Sequence, residues 1–183
     1  MKRIFLILVL VSFAMYCQPQ KSHFVVDLNV LRGNVLAHSK DLNHLITGHP
    51  EGFMVGFSKK TFGAKEWHSL YNYPDYGGYL LYQNFKNEFL GTTIALGAHY
   101  NFYFFKRNLQ FKLASGIALA SNPYNKETNS KNNAFGSKLL GNVNLGLSYK
   151  KVNIIDKFGL EAGILFTHYS NGRTKSPNSG INI

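Results

Sequence analysis

Apolar positions alternate with small or polar ones along most of this chain, and no segment past the first twenty residues sustains a helical period. From Thr92 to Phe105 one face reads Thr92, Ile94, Leu96, Ala98, Tyr100, Phe102 and Phe104, the other Thr93, Ala95, Gly97, His99, Asn101, Tyr103 and Phe105. Leu109–Leu119, Leu139–Tyr149 and Lys157–Ser170 repeat the pattern, and Phe24–Val30, Gly52–Ser58 and Tyr76–Phe85 carry shorter versions of it. One face is large and apolar. The other is rich in Gly, Ala, Ser and Asn. A soluble β-sandwich turns its large apolar face inward and covers the outer face with bulky charged residues. A narrow barrel in a membrane reverses this, with side chains crowded in a polar lumen and an oily exterior. The pattern therefore predicts an all-β fold, an antiparallel transmembrane up-and-down β-barrel.

The runs are long enough for tilted transmembrane strands, which need about 9–11 residues. Tyr100, Phe102, Tyr103, Phe104 and Phe105 precede the Lys106–Asn108 turn, where an interfacial aromatic girdle is expected. Longer polar or mixed segments span Arg32–Glu51, Lys59–Asp75 and Ser121–Gly136, and short turns fall at Lys86–Glu88 and Lys106–Asn108. Short turns on one rim and long loops on the other are expected. Seven strands are counted by Ser170, and Ile183 follows before an eighth, so the chain by itself is expected not to close its barrel.

The N-terminus sets the compartment. Met1-Lys-Arg followed by the apolar run Ile4–Phe13, with small residues at Ser12 and Ala14, has the layout of a secretory signal peptide covering about residues 1–20. Residues 21–183 are then one domain by size. Cys17, the only cysteine, can form no internal disulfide. The formal charge of +11 suits anionic lipid headgroups or glycolipid phosphates. Nucleic acid is not expected as a partner of an exported chain.

Candidate chemistry lies in the last alternating run. His168 and Ser170 share a parity with Phe158, Leu160, Ala162, Ile164 and Phe166, and so project from the apolar wall near its end. Imidazole and hydroxyl are the base and nucleophile of acyl-ester cleavage, a third group normally orients the imidazole, and polar donors must meet the oxyanion. Asn171, Gly172 and Asn178 follow as oxyanion candidates. A pair on the outer wall meets substrate only from the membrane, which points to a lipid ester. On spacing alone His-x-Ser is a weak pattern, and its ordinary reading is a strand-end hydrogen bond at the membrane interface. His38, His44 and His49 match no metal-site spacing, His99 is read as a hydrogen-bonding lumen residue, Asp75 as a turn residue and Trp67 as an interface anchor.

The segment His168–Asn182, "HYSNGRTKSPNSGIN", resembles the active-site segment of the lipid A deacylase (PagL) family, also described as acyloxyacyl hydrolase-like. That family's pattern runs His-x-Ser-Asn, a short spacer, Pro-Asn and a Gly or similar residue. Upstream, "LITGHPEGF", "YNYPDYG", "AHYNFYFFKRNLQ" and "NNAFGSKLL" resemble longer members from Bacteroidetes-type bacteria, so the likeness covers nearly all of the mature chain. The resemblance implies an eight-stranded barrel in the bacterial outer membrane that removes an ester-linked acyl chain from lipid A. It implies His168 as base and Ser170 as nucleophile, with no metal or organic cofactor. Lipid A or lipopolysaccharide is the implied substrate, and a homodimer is one assembly open to it. The family's acid falls twelve residues past the serine, where this chain has Asn182. An amide can orient an imidazole but adds no charge to stabilise imidazolium. Glu161 has lumen parity, and Asp41, Glu51 and Asp75 lie in or beside loops. A non-enzymatic barrel serving adhesion or structure, an inactive relative, and a soluble lipocalin-like barrel remain as alternatives.

Overall fold

The computed structural model describes residues 23–183; the signal peptide expected over about residues 1–20 lies outside the described residues. Seven long strands follow one another: β1 Phe24–Arg32, β2 Glu51–Lys59, β3 Asp75–Asn84, β4 Thr92–Phe104, β5 Leu109–Ala120, β6 Leu139–Ile155 and β7 Phe158–Ser170. A two-residue strand, β8 Ile181–Asn182, completes a single sheet in which each strand pairs antiparallel with the next. The expected count of seven is therefore corrected to seven long strands and one short one. Residue periodicity cannot register a strand of two residues.

Contacts across the lumen show that the sheet curls. Tyr79 on β3 donates its hydroxyl to Asn142 Oδ1 on β6 at 2.7 Å, and Lys150 Nζ on β6 meets Asp27 Oδ1 on β1 at 2.5 Å. The small polar face forms the interior, as expected. Asn144 donates to Asn142 Oδ1 and accepts from Thr167 Oγ1 at 2.7 and 3.0 Å. His99 Nε2 lies 2.8 Å from Ser58 Oγ. The amides of Asn142 and Asn144 and the charges of Lys150 and Asp27 are tolerable in this interior because they satisfy one another. The opposite face is apolar and exposed on every long strand, including Val30, Phe57, Leu96, Ile117, Leu139 and Ile164. A continuous band of this kind far exceeds the apolar patches of soluble monomers.

The curl is joined at one rim only. β8 pairs with β7 through His168↔Asn182 and Tyr169↔Ile181, while Leu36 N–H, just past β1, donates to the Asn182 carbonyl at 2.9 Å. Further down, among the described residues, no strand joins the facing edges of β1 and β7.

The two rims differ from the expected division. The joined rim carries the segments 33–50, 85–91, 121–138 and 171–180; the other carries 60–74, 105–108 and 156–157. The short turn at Lys86–Glu88 thus lies among long loops, and the long segment 60–74 among short turns. Segment length gives no direction; only the order of strands does. The long segment folds a short helix, Glu66–Leu70, against the outer wall. There Trp67 meets Tyr76 and Tyr100, and the row continues through Phe102 to Phe111 with ring centroids 5.0–6.4 Å apart. Trp67, expected as an interface anchor, lies at one end of this aromatic row. Tyr103 is not part of this girdle: it points inward, donates to Asp75 Oδ2 at 2.8 Å and lies under Arg107. Asp75 is accordingly a buried β3 residue paired with Arg107 rather than a turn residue.

An exposed leucine in water tolerates arginine within about 0.5 kcal/mol, whereas mid-wall arginine in contact with hydrocarbon costs about 2–4 kcal/mol. Leu96→Arg is expected to show the larger loss in urea unfolding from lipid vesicles, although Leu96 is 63% exposed.

Candidate active site

Beneath the joined rim lies a hydrophobic cluster that includes Leu42, Leu45, Phe85, Leu90, Phe135, Leu140, Tyr169 and Ile181, all essentially inaccessible. Phe85, Phe135 and Tyr169 pack edge to face with centroids 5.6–6.4 Å apart. Tyr169 sits between His168 and Ser170 in sequence. Its burial on the inner face obliges both neighbours to project outward, because a strand alternates sides at every residue.

The imidazole of His168 is half-buried, and its Nδ1 lies 2.6 Å from Asn182 Oδ1. An amide oxygen only accepts, so Nδ1 carries the proton and Nε2 presents a bare lone pair. Among the described residues Nε2 has no hydrogen-bond partner, and none of the other acids weighed from the sequence bonds to this ring. Glu161 is held in the lumen by Lys150, Ser148 and Gln110. Glu51 pairs with Lys86, and Asp75 with Arg107 at the far rim. Asn133 donates to the backbone carbonyl of Asp41 at 2.8 Å.

Ser170 Oγ accepts the Gly172 N–H at 3.1 Å, and no hydrogen bond joins it to His168. Their roots on a strand lie roughly 6.5–7 Å apart, so closing the pair takes a rotation of the two side chains about χ1. The flanking strands leave room for it. Gly141 is opposite Ser170 on β6, and Gly180 packs against it on the β8 side. A Cβ on Gly180 would lie 2.8 Å from the Tyr169 carbonyl oxygen, 3.1 Å from His168 Cε1 and 3.4 Å from Ser170 Cβ, and φ there is +69°.

The three oxyanion candidates have different surroundings. Gly172, at φ +60° with open space where a Cβ would sit, aims its N–H at Ser170 Oγ. Asn171 is buried, and its side chain donates to the Lys175 carbonyl while its own carbonyl accepts from Thr174, so it shapes the 171–175 turn. Asn178 is half-buried and makes no side-chain hydrogen bond among the described residues. The structure thus brings His168, Ser170, Gly172 and Asn182 together, and among the described residues no hydrogen bond joins the Asn171 or Asn178 side chain to the pair.

Two further residues enter that periodicity did not single out. Gly180 is represented only by the glycine that ends the motif. His38 arrives from the distant segment after β1, its Nδ1 3.2 Å from Asn182 Nδ2 and its Nε2 2.9 Å from the Ser179 carbonyl. His44 and His49 bond elsewhere, to the Lys131 carbonyl and to Asn34, and among the described residues no cluster is arranged to hold a metal ion.

The family model described as lipid A 3-O-deacylase (PagL) matches residues 51–183. The chain belongs to that family. No curated protein matches the chain, and no solved structure does.

Gly180→Ala is expected to destabilise the protein by about 1–3 kcal/mol through left-handed backbone strain and close contacts. The same substitution is expected to move the His168 ring resonances. Unfolding in lipid vesicles and a histidine NMR spectrum measure the two effects.

Proposed function

We propose that this protein is an outer-membrane hydrolase that removes an ester-linked acyl chain from lipid A, with Ser170 as nucleophile and His168 as base. The observation that carries this reading is the pairing of His168 Nδ1 with Asn182 Oδ1 on the outer face of β7. The basic nitrogen that remains is available to the hydroxyl of Ser170 two residues on. Membership of the lipid A 3-O-deacylase family supports the substrate and names its 3-position ester. The exposed apolar wall supports a membrane setting, and the basic, apolar leader supports export.

In the proposed reaction, His168 Nε2 takes the proton of Ser170 Oγ as that oxygen attacks the acyl carbonyl carbon. The carbonyl π-electrons move onto oxygen, where the Gly172 N–H, already directed at the nucleophile, supplies a donor. Asn178 is the second candidate donor, its amide being uncommitted, while Asn171 holds the turn that presents Gly172. Collapse of the tetrahedral species breaks the bond to the sugar oxygen, which receives the proton from His168. Water, deprotonated by the same nitrogen, then releases the fatty acid from Ser170. Asn182 occupies the place of the orienting acid and keeps His168 in the useful tautomer.

Loss of an acyl chain from purified lipid A, followed by mass spectrometry, tests the assignment. Ser170→Ala and His168→Ala are each expected to lower the rate by at least about 10³-fold, and Asn182→Ala by about 10–100-fold. Equal release by wild type and Ser170→Ala would remove the enzymatic reading in favour of a structural barrel.

A further inference from the structure

We infer that His38 is a positioning residue, which locks the Asn182 amide in the one orientation that leaves His168 basic. The inference rests on the proposed roles of His168 and Ser170 and adds a fourth member to their chain.

A carboxylate at position 182 would present an acceptor whichever way it turned. An asparagine does not. Its oxygen and its NH2 exchange places on a half-turn of the amide, and the two faces have opposite effects on a neighbouring imidazole. With Oδ1 towards His168, the histidine proton sits on Nδ1 and Nε2 is a base. With Nδ2 towards His168, Nδ1 must accept, the proton moves to Nε2, and the nitrogen facing the serine has no lone pair to offer. A site that uses asparagine here needs something to choose the face.

His38 makes that choice, and its own state is set by a group that cannot turn. The Ser179 carbonyl is an acceptor fixed in the backbone, 2.9 Å from His38 Nε2, so Nε2 carries the proton. His38 Nδ1 is then an acceptor, 3.2 Å from Asn182 Nδ2, and the amide oxygen is left to His168 Nδ1 at 2.6 Å. Direction passes along the chain from carbonyl to His38, Asn182 and His168. Its origin is anchored, since Ser179 and Gly180 N–H donate to the carbonyls of Asn133 and Ala134 at 3.2 and 3.1 Å. The strip bearing His38 is held too, by the Leu36 N–H on the Asn182 carbonyl.

The test uses the full chain in lipid A-containing vesicles, with rates referred to the folded fraction read from heat-modified gel mobility. His38→Ala is expected to lower kcat about tenfold with KM unchanged. His38→Gln, whose amide both accepts and donates, is expected to regain most of the loss. On an Asn182→Asp background, where no wrong face exists, His38→Ala is expected to cost less than about threefold. Nitrogen-15 shifts of the His168 ring read the tautomer independently of activity: protonated Nδ1 in the wild type, mixed in His38→Ala. Full activity and an unchanged His168 spectrum in His38→Ala, with Ser170→Ala inactive, would overturn the role of His38 and leave the esterase reading intact. So would a loss equally large on both backgrounds and not restored by glutamine, which would mark His38 as a loop support. If Ser170→Ala matches wild type, the esterase reading is lost, and an unchanged nitrogen-15 spectrum in His38→Ala would still refute the tautomer lock.

Discussion

The site depends on the burial of Tyr169 in the cluster beneath the joined rim. A strand reverses its side chains at each residue, so one large ring seated against Phe85 and Phe135 decides where both neighbours point. A slip of one residue would put His168 and Ser170 among the lumen amides and set a tyrosine on the wall. The register is also held by β6, through Val143↔His168 and Asn142↔Tyr169, and by the two residues of β8. The apolar cluster reaches the candidate site through Tyr169 and Ile181, and it turns His168 and Ser170 to the outer face of the wall.

β8 contributes little apolar burial beyond Ile181, but it carries the partner of His168, and Gly180 just before it brings the backbone close to Ser170. Asn182 stands directly opposite His168 in the ladder, and Gly180, turned with a positive φ, lies where any side chain would press on the imidazole and the serine root. The position of β8 comes from both sides. Thr167 and Ile183 exchange backbone hydrogen bonds at 2.9 and 3.0 Å, and the segment after β1 supplies the Leu36 N–H. One amide-to-imidazole distance therefore reflects three parts of the chain that are far apart in sequence.

The lumen and the capping loops use a different economy of polar groups. Asparagines at even positions of β6 bond to one another, to Tyr79 and to Thr167, which lets a narrow interior stay polar. Above them, asparagine side chains tie loop to loop: Asn132 to the carbonyls of Phe89 and Asn122, Asn87 to that of Leu45 and Asn133 to that of Asp41. The rim that carries the site is thus held by side-chain amides as well as by its apolar cluster.

The inner and outer faces of every long strand could be read from alternation alone, because the pattern has the period of the backbone itself. Leu96 outward, His99 inward and the shared outward side of His168 and Ser170 all follow from that parity. The motif added Asn182 as the partner of the imidazole. What alternation could not supply were features with no local period: the two residues of β8, the long segment 60–74 on the rim of short turns, and Asp75 and Arg107 as the partners of inward-facing Tyr103. His38 belongs with these, as it lies 144 residues from Asn182 along the chain. It looked like an ordinary loop histidine until folding laid the segment after β1 alongside β8. The sequence by itself determined which side of the wall each residue occupies, through steric alternation at single residues. Only the tertiary structure decided which distant residues meet across the rim, since that depends on how the ends of the curled sheet come together.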